Sequence, residues 1–81
     1  MGHVFLIENQ SAWDKVSVTL SHEPALAIDT ESNSLHCYRE RVCLIQIGTT
    51  KDTFIIDPIR VTNLSTLGLI LANPSIEKVI H

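Results

Sequence analysis

Two carboxylates set two residues apart, Asp29 and Glu31, are the side chains of this sequence best suited to do chemistry. They close the stretch "ALAIDTE" (25–31), in which an apolar run, Ala25 to Ile28, leads into Asp29. Side chains alternate faces along a strand, so Asp29 and Glu31 point the same way and Thr30 points to the opposite side. Along the strand they are about 6.6–7 Å apart. Carboxylates at that separation can share one divalent ion or flank a pair of ions about 3.5–4 Å apart. Hard cations such as Mg2+ prefer oxygen ligands of this type. Spacing alone leaves a plainer reading open, because acids at a strand end also mark the return of the chain to solvent. Two acids also make a weak site, and one of this kind recruits further carboxylates or substrate phosphates.

The elements that must hold these acids can be read from the pattern of apolar residues. "HVFLIE" (3–8) reads as a short strand. "NQSAWDKVSVTLSHEP" reads as a helix of about three turns over 10–22, with Asn9 or Ser11 as its N-cap. Trp13, Val16 and Leu20 share one face of it, and Pro24 ends it. The strand at 25–31 follows. "RVCLIQIG" (41–48) is a second strand of the sheet, the polar turn "TTKD" follows, and "TFIID" (53–57) is a third, stopped by Pro58. "NLSTLGLILAN" (63–73) reads as a helix with Leu64, Leu67, Leu71 and Ile70 on one stripe. "SIEKVIH" (75–81) reads as a strand reached through that helix.

Connection lengths set the expected pairing. A four-residue turn joins antiparallel neighbours, whereas a helical crossover permits a parallel return. The reading is therefore an α/β fold with a mixed sheet: 25–31, 42–48 and 53–57 antiparallel in sequence order, and 76–81 parallel to 25–31 on its other side. The strands at 25–28 and 42–47 are apolar on both faces and call for cover on both sides. The helix at 63–73 is expected to cover one face, and the helix at 10–22 part of the other or the sheet edge. Apolar sheet surface is left over, through which the chain is expected to pair with itself or associate.

Composition narrows the class. With 81 residues, 44% of them hydrophobic, the chain is one small domain or part of one, and it is too apolar to be disordered. A net charge of −3, with six Lys and Arg residues scattered apart from Arg39 and Arg41, gives no basic nucleic-acid footprint. Cys37 and Cys43 form neither a disulfide framework nor a zinc spacing, and Cys43 reads as a small packed hydrophobe, which points to a reducing, cytoplasmic setting. No charged region precedes an apolar stretch at the N-terminus, and no apolar run approaches the roughly 20 residues that span a membrane, so no membrane partner is expected.

"AIDTES", "YRERVCLIQIG", "FIIDPI" and "LILANPSIEKVIH" occur in that order and cover nearly the whole chain. Together they resemble the N-terminal part of ribonuclease D-type 3′–5′ exonucleases of the DEDD superfamily. The combination of Asp-Thr-Glu at a strand end with Leu-Ile-Gln-Ile is much more specific than Asp-x-Glu alone. The resemblance implies a ribonuclease H-like fold, with residues 1–81 as the N-terminal portion of an exonuclease domain that stops before the second and third metal-binding motifs. It implies hydrolysis of terminal phosphodiester bonds of RNA or DNA with two divalent ions, Mg2+ or Mn2+. Asp29 would bridge the ions, and Glu31 would hold the one nearest the attacking water. The implied partner is the 3′ end of a single-stranded nucleic acid, RNA favoured.

In the family's pattern the residues after the first motif meet the terminal nucleotide, which makes Ser32, Asn33 and Leu35 candidates for substrate binding. Leu35 is suited to pack on the last base or, equally, to anchor its loop on the core. His81 matches a histidine common in the second motif that is not a metal ligand. Tyr38, Arg39 and Arg41 could meet bases and phosphates, although a solvated loop with a packing Tyr explains them as well. Gln46 interrupts an apolar run and reads as structural, in need of a hydrogen-bond partner. Asp57-Pro58 reads as a strand-ending turn, and His22 and His36 as surface residues. The 81 residues alone are expected to be inactive. The alternative is a non-catalytic nucleic-acid-binding or protein-interaction module with an exonuclease-like fold, and a third reading is a freestanding small α/β interaction domain.

Overall fold

A computed structural model describes residues 2–30 and 44–80. Within these residues, five strands and two helices follow one another: β1 (Val4–Ile7), α1 (Gln10–Leu20), β2 (Ala25–Thr30), β3 (Ile45–Gly48), β4 (Thr53–Ile56), α2 (Ser65–Ala72) and β5 (Glu77–Ile80). The strands form one mixed sheet in the order β1-β4-β3-β2-β5. β2 pairs antiparallel with β3, β3 antiparallel with β4, and β5 parallel with β2, as the connection lengths predict. β1 adds a strand that the sequence left unplaced: it joins the far edge, parallel to β4.

Local chemistry accounts for the boundaries. Asn9 is the N-cap of α1, in extended conformation, and its side chain accepts a hydrogen bond of 2.8 Å from the Ala12 amide. Thr49 closes the turn between β3 and β4. Its amide donates to the Asp52 carbonyl at 2.8 Å, and its hydroxyl accepts from the amides of Lys51 and Asp52. Asp57 ends β4 as a turn residue: its carboxylate accepts from the Ile59 amide at 2.9 Å and lies 3.7 Å from Arg60. The Lys78 ammonium of β5 donates to the carbonyls of Ile70 and Asn73 and so satisfies the C-terminal end of α2.

Both helices lie on the same face of the sheet, which corrects the expectation that the helix at 10–22 serves the other face or the edge. The topology explains it. β1-α1-β2 and β4-α2-β5 each cross two intervening strands in the same direction along the sheet. Right-handed crossovers running the same way place their helices on one side. The core confirms this, with Trp13 and Leu20 of α1 and Leu67 and Ile70 of α2 joining Leu26, Ile28, Ile47, Phe54 and Ile56 of the sheet in one buried cluster. The indole N–H of Trp13 has no hydrogen-bond partner among the described residues.

A paired contact ties the helices' entries together: the Gln10 amide donates to the Asn63 carbonyl at 2.8 Å, and its oxygen accepts from the Asn63 amide at 3.0 Å. The buried stripe of α2 is Leu67 and Ile70 with Leu64 packed beside them. Leu71, expected there, is 40% exposed. The helix starts at Ser65, and Leu71 falls one position past Ile70, about 100° around the helix and beyond the face that meets the sheet.

Candidate functional site

Asp29 occupies the carboxyl-terminal end of β2, an inner strand held by β3 on one side and β5 on the other. Pairing with Gln46 of β3 fixes its backbone on one side, β5 pairs with β2 as far as Ile28, and alternation fixes its direction. Leu26 and Ile28 point into the helix-covered core, so Ala25, Ala27 and Asp29 point to the opposite face. That face carries no helix among the described residues. Ala25, Ala27, Gly48 and Val79 line a shallow, mainly apolar hollow of about 200 Å³ on it. Asp29 is half-buried beyond the end of this hollow.

The residue across from Asp29 in the antiparallel register is Gln46. It is also half-buried, and it points to the same open face. The sequence reading treated Gln46 as a structural polar residue and did not connect it with the acid. The only signal it carries in the sequence is the break it makes in an apolar run. The register between β2 and β3 depends on a long connection whose length does not fix it.

Glu31, Ser32, Asn33 and Leu35, the other expected site residues, lie outside the described residues, as do His36, Tyr38, Arg39, Arg41 and His81. Among the described residues the Asp57–Arg60 ion pair and the His3–Asp52 contact are elsewhere, and no cluster of three metal-ligating side chains occurs. His22 is exposed at the end of α1, with Nδ1 2.8 Å from the Val18 carbonyl oxygen. The donor chemistry at Asp29 suits a hard divalent cation: a carboxylate with a carboxamide beside it, both oxygen-bearing, on an open sheet face.

The carboxyl ends of parallel strands are where open α/β sheets bind ligands, and here that end carries an acid. The molecule is thus an α/β domain with a carboxylate, Asp29, at the carboxyl end of an inner strand. The chain belongs to the 3′–5′ exonuclease family, whose family model matches residues 4–81. It is 34% identical to ribonuclease D of Acidiphilium cryptum over 77 residues, which is 94% of this chain and 20% of that protein. It is 40% identical to ribonuclease D of Escherichia coli over 58 residues, covering 72% of this chain and 16% of the relative. The crystal structure of E. coli RNase D, described as an exoribonuclease involved in structured RNA processing, superposes with a TM-score of 0.79 at 31% identity, over 100% of this chain and 21% of that one. The catalytic core of RRP6 from Trypanosoma brucei shares the fold, with a TM-score of 0.78 at 22% identity, over 96% of this chain and 22% of that one. The chain spans about a fifth or less of the length of the relatives it matches. These likenesses bear out the ribonuclease D-type resemblance and the fold it implied.

Proposed function

We propose that this chain supplies the amino-terminal portion of a 3′–5′ exonuclease domain that hydrolyses the terminal phosphodiester of a single-stranded nucleic acid, RNA favoured. The observation that carries the reading is the position of Asp29: half-buried on the open face, at the carboxyl end of an inner strand, in a fold shared with ribonuclease D. When bound, Mg2+ or Mn2+ would supply Lewis-acid charge to the scissile phosphodiester and acidify the attacking water.

The chain's own residues do the positioning. Asp29 offers an oxygen ligand from a strand end paired with Gln46 of β3, one residue past the last pair with β5. Glu31, two residues on in the sequence, would add a second carboxylate. Ser32, Asn33 and Leu35 follow the acids closely enough to meet the terminal nucleotide, the first two by hydrogen bonds and Leu35 by packing on the base. The open apolar face supports a further element of the reading, association of the chain through that face.

The test is release of mononucleotides from a labelled single-stranded RNA by the full-length protein carrying this chain, with Mg2+ or Mn2+. Asp29→Asn and Glu31→Gln each keep the side chain's size and remove the charge the ions need. Each is expected to abolish cleavage, a loss of at least about 10³-fold or 4 kcal/mol in barrier, with the unfolding midpoint kept. Near-normal turnover by either variant would show that the metal ligands lie elsewhere. Retained RNA binding without any cleavage by the unaltered protein would favour the non-catalytic module instead.

A further inference from the structure

We infer that the outer edge of β1 is a pairing surface for a second copy of this chain: two β1 strands meet antiparallel about a two-fold axis at Phe5 and join their sheets into one. This edge is distinct from the open face of the sheet, and pairing there is independent of the nuclease reading.

Three observations carry it. The first is the edge itself. β1 ends the sheet order, so among the described residues only β4 pairs with it. The Thr53 amide donates to the His3 carbonyl at 2.8 Å, and the Asp57 amide to the Ile7 carbonyl at 3.1 Å. Backbone groups alternate sides along a strand, so His3, Phe5 and Ile7 face β4, while Val4 and Leu6 turn their N–H and C=O groups outward. Sheets commonly blunt such an edge with a charge, a Pro or a bulge. β1 has none of these: it is Val4, Phe5, Leu6 and Ile7 in unbroken register with β4, and the first three are exposed.

The second is self-complementarity. A two-fold axis at Phe5 sets Val4 of one copy opposite Leu6 of the other. Both outward-facing residues then fall in hydrogen-bonded pairs, and each pair exchanges both of its bonds. Phe5 meets its own counterpart, with its ring already stacked on Phe54 at a centroid distance of 5.3 Å. Aromatic pairs across strands add to the pairing.

The third is charge. The same register carries Glu8 of each copy to Gly2 of the other. Gly2 lies directly against the 49–52 turn, where any side chain in its place would strike the Lys51 carbonyl oxygen. Gly2, His3, Thr50, Lys51 and Asp52 line a hollow of about 460 Å³ there. The Asp52 carboxylate already accepts from the His3 amide at 3.2 Å, and Lys51 is exposed. An arriving Glu8 carboxylate therefore meets the Lys51 ammonium at each end of the pairing, and a slipped register loses that match. The edge is short and covers far less than the roughly 800 Å² a side of a standard interface, so the dissociation constant is on the order of 100 μM.

The experiment is sedimentation equilibrium of the full-length protein carrying this chain, with hydrogen exchange of β1 followed over the same concentrations. The Val4 and Leu6 amides are expected to exchange more slowly as dimer forms. Glu8→Lys and Lys51→Glu each turn attraction into repulsion at both ends, and each is expected to weaken the dimer about tenfold. The double variant is expected to restore it. Both positions are exposed, so the unfolding midpoint should stay within a few degrees. Leu6→Pro removes an outward N–H and no bond to β4, and is expected to abolish the dimer. If that variant fails to fold, the charge variants decide alone. A protein still monomeric at about 1 mM would overturn the inference. So would a dimer whose Val4 and Leu6 amides exchange as fast as the monomer's, or one that ignores the single charge reversals or is not restored by the double variant.

Discussion

The two faces of the sheet are built from alternate residues of the same strands, and they have been put to different uses. Neighbours in sequence make the contrast sharp. Ile28 is buried under the helices while Asp29 faces the open side. Ile47 is fully buried and Gln46 is not, and Ile56 is fully buried while Ile55 is only half-covered. On the covered face Leu26, Ile28, Ile47, Phe54 and Ile56 are large and apolar, and α1 and α2 both pack there. On the open face the same strands offer Ala, Gly and Thr, two polar groups side by side at one end, and apolar edges in Leu6, 57% exposed, and Val79, 50% exposed. One face holds the fold together, and its rigidity gives the other a fixed platform for chemistry. A one-residue slip in register would exchange the two roles, so the packing of the covered face is also what aims Asp29.

The comparison breaks most visibly at Ile56. Its side chain is fully buried at the centre of the covered face. Ile56→Ala removes three carbons and leaves a cavity under two helices, at a cost of about 3 kcal/mol. A chain of this length has a total stability of about 4–12 kcal/mol, so much of it is lost. Urea unfolding should show the midpoint fall steeply with little change in slope. A cost below about 1 kcal/mol would mean that the covered face is not the core.

Much of this division was legible in the sequence, and the exceptions have physical causes. Helices 10–22 and 63–73 were read from apolar periodicity and from a capping Asn that does cap. The order of β2, β3, β4 and β5 agrees with the pairing expected from connection lengths, since a four-residue turn joins antiparallel neighbours and a helical crossover allows a parallel return beside β2. The position of β1 did not follow, since a strand entering through a long crossover can join either edge. The side chosen by α1 was also missed. It depends on the direction of its crossover, and that becomes known only once β1 is placed. At the site, Asp29 stood out because two acids at a strand end are chemically legible by themselves. That Gln46 stands opposite Asp29 is a matter of register across a long connection, and no local pattern encodes it.

A middle-sized effect is expected at the clamp that holds the covering layer. Gln10 and Asn63 exchange two hydrogen bonds across 53 residues of sequence, joining the start of α1 to the loop before α2. Gln10→Ala removes both, and because the site is exposed water replaces them, so the loss is about 1 kcal/mol. The clearer sign is local. The Asn63 amide, now without its acceptor, should exchange its hydrogen markedly faster, while amides in β2 and β3 change only with global stability. Unchanged exchange at Asn63 would show that the two helices are held by packing alone.

The smallest expected effect on stability is at Ile55, one residue from Ile56 and of the same type. Its side chain points to the open face, between Leu6 on one side and Gln46 on the other. Ile55→Thr keeps the branch at Cβ, so strand preference is nearly unchanged. It replaces apolar surface that is already partly in water, so the stability cost should stay below about 1 kcal/mol. The same change should have a larger effect on association. If the chain pairs through this face, each apolar Å² buried there contributes about 25 cal/mol, and a hydroxyl placed at its centre must be desolvated without a partner. Sedimentation velocity over a range of concentrations should therefore show Ile55→Thr less associated than the unaltered protein at equal fold stability. Ile56→Ala gives the opposite signature: lost stability, and association driven by unfolding that rises with temperature. If Ile55→Thr lowered stability as much as Ile56→Ala, the two faces would be equally covered and the open platform that presents Asp29 would not exist.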